Sequence, residues 1–214
     1  MPHPWVTEYF AINEQETAAH AFVAAFLVGA PCPDPCPLVR SQTLPPNGSA
    51  LFNDVPFGFP GFVAVDGDFG ARVRFYARTY NSAHPEQWTE LPVVPAARIN
   101  ALNPSTLTFP IPPQTARANL LLANVSAIEA GAGADVELEL VLYSGSGEAL
   151  ATRNVDLRRT SQSYIVDIAN YFAVSTIAGG QIRVAKVVGN GVFWGILPYV
   201  DNHGKISILQ GTTF

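Results

Sequence analysis

The two halves of this 214-residue sequence run through the same order of events, and that repeat limits the chain to folds that can be built twice. In the second half, ARANLLLANVS (116–126) is an apolar extended segment ending near Asn124. ADVELELVLYSGSGEAL (134–150) alternates, with Val136, Leu138, Leu140 and Leu142 on one face and Glu137, Glu139 and Val141 on the other. A period of two marks a half-buried strand, and SGSG supplies the turn behind it. NVDLRRTSQSYIVDI follows, and then QIRVAKVVGNGVFWGILPYVDNHG (181–204). There Gly189-Asn190-Gly191 predicts a hairpin, because Asn and Gly accept positive φ. KISILQG closes the unit.

The first half gives the matching series. TEYFAINEQ (7–15) ends its apolar run near Asn13, and AFVAAFLVG (21–29) stands where ADVELELVLY stood. LVRSQTLPPNGSALFNDV (38–55) answers ATRNVDLRRTSQSYIVDI, with Asp54 opposite Asp167. GFVAVDGDFGARVRFYARTYN (61–81) predicts a second hairpin with Asp66-Gly67-Asp68 at its tip, and WTELPVVPA (88–96) is the closing strand. Identities are few; the match is one of pattern. Read alone, the Ala-rich AAHAFVAAFLVG fits a buried helix, and periodicity cannot separate a short buried helix from a buried strand. The repeat assigns it to a strand.

The expected fold class is therefore all-β: a tandem pair of immunoglobulin-like β-sandwich domains related by an internal repeat. Domain 1 covers 1–98, a proline-rich linker 99–115, and domain 2 116–214. About 100 residues and six or seven short strands per unit suit such a sandwich. The alternative architecture is a jelly-roll double sandwich. No Cys…Trp…Cys spacing is present, so neither unit is an antibody-type domain.

Composition removes several classes of function. Hydrophobic residues at 48% and charged residues at 14% exclude a disordered chain. The net charge of -5, with scattered basic residues, argues against a nucleic-acid partner, which needs clustered Lys and Arg. The apolar run at 18–30 is too short to span a membrane, so no transmembrane segment is expected. It also lacks the basic flank of a secretion signal, so the leader of an exported form has been removed or lies outside this sequence. Low charge further implies a surface of uncharged polar groups or one covered by a partner.

Cys32 and Cys36 lie in APCPDPCP. Their spacing is not that of a CxxC redox pair, and no second pair completes a zinc set. The expectation is a structural disulfide closing a small proline-stiffened loop, which would place the protein outside the cytoplasm.

The runs RANLLLANVS, GEALATRNVDL, YIVDIANYF, GGQIRVAK and PYVDNHGKISIL resemble the immunoglobulin-like β-sandwich accessory modules that recur in secreted and cell-surface bacterial proteins. The shared pattern is an early strand ending in Asn, a middle with a Gly turn, and a late Val-Asp-Asn before the closing strand. It covers residues 116–211, and residues 7–96 in outline. The resemblance implies an extracellular, non-catalytic accessory or structural role and transfers no binding residues.

Catalytic motifs are lacking. His3, His20, His84 and His203 form no HExxH or i, i+4 pair, and no GxSxG elbow appears. The 17 acidic residues fall mostly at turns and on alternating polar faces, so no enzyme and no cofactor is expected. Asp66 and Asp68 have the spacing to share calcium, but DG is also a favoured hairpin tip, and the second repeat has uncharged GNG there. Two glycosylation sequons start at Asn47 and Asn124.

Aromatic residues are the best binding candidates: Phe75, Tyr76, Tyr80 and Trp88 in the first half, Phe193, Trp194 and Tyr199 in the second. Neighbours in a strand point to opposite faces, so one ring of Phe75-Tyr76 and one of Phe193-Trp194 must face outward. Outward rings suit either an interface or a sugar-stacking platform. The leading expectation is a non-catalytic extracellular structural protein, a subunit of a surface assembly or filament whose partner is itself. The alternative is a carbohydrate-binding or adhesive module whose partner is a glycan or surface protein.

Overall fold

The computed structural model describes residues 5–27, 39–52, 61–67, 72–91, 93, 104–126, 135–157 and 162–213. These are strand almost throughout, with one short helix, and they divide into two compact units that part after Val93. In the first unit, β1 (Trp5–Asn13), β4 (Ser49–Phe52), β6 (Val73–Asn81) and β7 (His84–Leu91) form an antiparallel sheet in the order β4-β1-β6-β7. β2 (Ala19–Leu27), β3 (Val39–Leu44) and β5 (Gly61–Gly67) form the other, in the order β3-β2-β5. The core between them gathers Tyr9 and Ala11 from β1, Ala21 and Val23 from β2, Leu44, Phe52 and Ala77.

Alternation explains why 19–27 is a strand despite its alanines. Ala19, Ala21 and Val23 are buried while His20 and Phe22 are exposed, a period of two that only an extended chain provides.

The second unit runs β8 (Thr106–Pro110), β9 (Thr115–Ala118), β10 (Leu120–Asn124), β11 (Val136–Tyr143), β12 (Ala149–Leu157), β13 (Gln162–Ile165), α1 (Ile168–Phe172), β14 (Gln181–Val188), β15 (Phe193–Asp201) and β16 (Ile206–Gln210). One sheet has the order β13-β10-β15-β16, with β9 also on β15, and the other β12-β11-β14-β8. Leucines 107, 120, 122, 138, 140, 142 and 157 from both sheets meet in one core, joined by Ile168 and Phe172 of α1. The short helix follows β13 and was not foreseen from YIVDIANYF.

Setting β8 and β9 aside, the two units have one strand order. The first, fourth, sixth and seventh strands share a sheet, and the second, third and fifth share the other. The repeat is thus a repeat of topology. The constant-type immunoglobulin grouping instead puts the first, second, fourth and fifth strands together. Here the first strand lies between the fourth and sixth.

Two expectations need correction. Gly189-Asn190-Gly191 does not close a hairpin, because β14 and β15 belong to different sheets, and the same holds for β5 and β6. Such residues license a sharp reversal, but burial decides which sheet the chain enters next. Asp66 accordingly lies within β5 and not at a hairpin tip, and Asp68 is outside the described residues. The stretch 99–115 is more than a linker: it contains β8, which pairs with β14 along an edge where Pro110 is tolerated.

β8 also explains a difference between the two interiors. Leu122 of β10 lies opposite Gly195 of β15, and the space a Cβ would take is bounded by Leu122 and by the ring of Phe109, which is fully buried. In the first unit the equivalent pair is Ala11 and Phe75, and Phe75 packs against the core. One unit fills this volume with its own sixth strand, the other with a ring brought in by an added strand.

Candidate ligand-binding face

Alternation in β1 and β6 separates the core from the outer face of the first unit's four-stranded sheet. Tyr9, Ala11 and Asn13 point inward, so Glu8, Phe10 and Ile12 point out; on β6, Ala77 is buried and Arg74, Tyr76, Arg78 and Tyr80 share the outer side. Register lines these residues into rows. Leu51, Phe10 and Tyr76 form one; Glu8, Arg78 and Glu90 the next; Val6, Tyr80 and Trp88 the third.

The middle row holds the face together. Arg78 Nε donates to Glu8 Oε2 at 2.7 Å, and the Tyr80 hydroxyl donates to Oε1 at 3.1 Å. The Arg78 guanidinium also lies 5.3 Å from the Phe10 ring centroid and 5.7 Å from that of Tyr80, within cation–π range. Desolvation first, and then the hydrogen bond to Glu8, push the Tyr80 hydroxyl above its ordinary pKa. Both Glu8 oxygens are thus engaged, which suits a positioning role better than a free base. Arg74 Nη1 donates to the Tyr76 hydroxyl at 3.1 Å and Nη2 pairs with Glu14 at 2.8 Å; that hydrogen bond, with the Glu14 charge, raises the Arg74 pKa.

Among the described Phe, Tyr and Trp residues Trp88 is the most exposed, at 53% on the edge strand β7, and Tyr76 is 36% exposed. Leu51 and Phe10 extend the apolar surface across β4 and β1. His84 Nδ1 lies 3.5 Å from Glu86 at the start of β7.

The other aromatics named from sequence lie elsewhere. Phe75 turns into the first core, as alternation with Tyr76 requires, and Phe193 is fully buried in the second. Tyr199 is half-buried against that core. Trp194 is half-buried as well, and its indole N–H is enclosed without a hydrogen-bond partner. Of the aromatics named from sequence, the open rings thus lie in the first unit. Sequence reasoning missed Glu8, Phe10, Leu51 and Arg78; the alternation of TEYFAIN carried the signal for the first two.

Cys32 and Cys36 lie outside the described residues. Among the described residues, no group of three or more His, Cys, Asp or Glu side chains could hold a metal ion, and no helix is long and apolar enough to cross a membrane.

The sequence matches no family model and no curated protein. Among solved structures, Thermotoga maritima 1070 is similar over 52% of this chain and 95% of its own, with 12% identity and a TM-score of 0.39. The apo form of a Pleurotus ostreatus lectin covers 96% of this chain and 75% of its own, with 11% identity and a TM-score of 0.25. The lectin from the same organism in complex with GalNAc covers 97% and 77%, with 10% identity and a TM-score of 0.24. Likenesses at this level assign no ligand to this chain.

Proposed function

We propose that this chain is a non-catalytic carbohydrate-binding or adhesive module acting outside the cell, and that the outer face of the first unit's four-stranded sheet receives the glycan. A pyranose ring offers an apolar C–H face and a rim of hydroxyls. The first needs a flat, open aromatic surface, and the second needs fixed donors and acceptors. Trp88 and Tyr80, adjacent across two strands, supply the surface. Arg78, Glu8 and the Tyr80 hydroxyl, already locked together, supply a preorganised polar row beside it.

The single observation that carries this reading is the 53% exposure of Trp88 in register with Tyr80. A tryptophan left open on an edge strand gains most from a ligand that covers it. On a glycan array the wild-type chain should retain particular glycans, and Trp88→Ala should weaken retention on the order of tenfold or more, about 1.4 kcal/mol or above. Its thermal midpoint should stay unchanged. Trp194→Ala, which removes a half-buried ring from the other unit, should leave glycan retention intact. An array on which the wild type is silent, or a Trp88→Ala chain that binds as well as the parent, overturns the proposal.

A further inference from the structure

Acidic side chains stand on both sides of Trp88 along β7. Glu86 and Glu90 lie two residues before and after it, and both are exposed. Alternation sets Glu90 on the same side of the sheet as Trp88, directly opposite Arg78 of β6. Glu86 has His84 Nδ1 at 3.5 Å, a partner that carries charge only when protonated.

The arginines that β6 presents on this face are already matched by carboxylates. Arg78 brings both Nε and Nη2 to Glu8 Oε2 at 2.7 Å, and the Tyr80 hydroxyl donates to Oε1 at 3.1 Å. The Glu8 side chain is only 14% exposed, so this pair is poorly screened and costly to part. Arg74 pairs with Glu14 at 2.8 Å and donates to the Tyr76 hydroxyl at 3.1 Å. A ligand carboxylate or sulfate would have to displace one of these acids to reach a guanidinium. At Arg78 it would also come up against Glu90. Like-charge contact of this kind is how a binding surface rejects a wrong partner. A sugar hydroxyl meets no such barrier, because it can donate to the Glu86 and Glu90 carboxylates as they stand.

Granted the glycan-binding reading above, on which this rests, we propose that the face selects uncharged sugars. Trp88 and Tyr80 stack the ring, and Glu86 and Glu90 turn away a sugar that carries a carboxylate or sulfate at the stacked position.

The test is an array on which each neutral glycan is printed beside the same glycan with its terminal hexose oxidised at C6 to the uronate, and beside the methyl ester of that uronate. The uronate differs little in bulk from the hexose, and the ester removes its charge. The wild type should retain neutral glycan and ester alike, and the uronate about fivefold less, the factor that one like charge a hydrogen-bond length or so away is worth in water. Glu90→Lys, with its thermal midpoint as the check on folding, should bring retention of the uronate up to that of the neutral glycan or above it. A uronate that the wild type retains as well as the neutral glycan, an ester retained as weakly as the uronate, or an unchanged ratio in a folded Glu90→Lys chain overturns the selection and leaves glycan binding standing. An array silent for neutral and charged glycans alike overturns the glycan-binding reading and this one with it.

Discussion

Asn13 and Asn124 occupy the same position in their respective units and do the same work. Asn13 ends β1 and Asn124 ends the matching strand β10; each is almost fully buried and accepts from the backbone N–H two residues on, Gln15 for Asn13 and Ser126 for Asn124, both at 3.2 Å. Each also donates its amide to a carbonyl where β3 or β12 ends, Asn13 to Pro45, just past β3, at 3.0 Å and Asn124 to Leu157, the last residue of β12, at 3.1 Å. β1 and β3 lie in different sheets, as do β10 and β12, so this side chain ties each sandwich shut at one end.

Removing that tie should cost stability in proportion to how dry its surroundings are. Asn124→Ala leaves a buried carbonyl and a buried N–H short of a partner, for about 1–3 kcal/mol. Asn13→Ala, whose bonds are only partly buried, should cost less. Urea melts of the two variants give the comparison; equal midpoints would contradict it.

The same geometry separates the two sequons. Asn47 sits in an exposed turn with φ 51°, whereas Asn124 is 0% exposed and engaged. In a host that glycosylates secreted proteins, peptide mass spectrometry should find glycan at Asn47 and none at Asn124.

Phe109→Ala should destabilise the second unit by about 3–5 kcal/mol, because the ring is fully buried and Gly195 and Gly211 beside it have no side chain to collapse into the space. Thermal denaturation measures this. A change near zero would mean that 104–111 is linker after all.

Two glycines with similar backbone angles should respond very differently. Gly147 (φ 86°) lies in the β11–β12 turn with open space around it, so alanine there should cost about 1–2 kcal/mol for the left-handed backbone alone. At Gly189 (φ 89°) an added Cβ would collide with the Asp135 carbonyl oxygen, and the neighbouring backbone must shift as well. Gly189→Ala should therefore lower the melting temperature clearly more than Gly147→Ala.

Acid should loosen the β15–β16 hairpin. The backbone N–H of Lys205, followed by that of His203, holds the Asp201 carboxylate below its ordinary pKa, despite some opposing desolvation. A carboxyl depressed in the folded state adds stability above its unfolded value of about 4, and that increment disappears as the pH falls through the folded value. Melting temperature against pH should fall less steeply below about pH 4 in Asp201→Asn than in the wild type. Parallel curves would remove Asp201 from the acid response.

The sequence by itself determined the all-β class, the twofold repeat of pattern and the inward positions Val136, Leu138, Leu140 and Leu142, because alternation is local and survives without knowledge of partners. It also determined that one ring of Phe75-Tyr76 must face out. Only the tertiary structure decided which sheet each strand joins, that β14 and β15, like β5 and β6, belong to different sheets, and that part of 99–115 is strand β8. Those outcomes depend on filling a shared volume from two sheets at once. The exchange of Phe75 for Phe109 shows the point, since residues far apart in the chain fill equivalent spaces. The candidate face was half legible for the same reason: Tyr76, Tyr80 and Trp88 announce themselves, but the pairing that sets Glu8 and Phe10 beside Arg78 is a fact of register between strands about 70 residues apart.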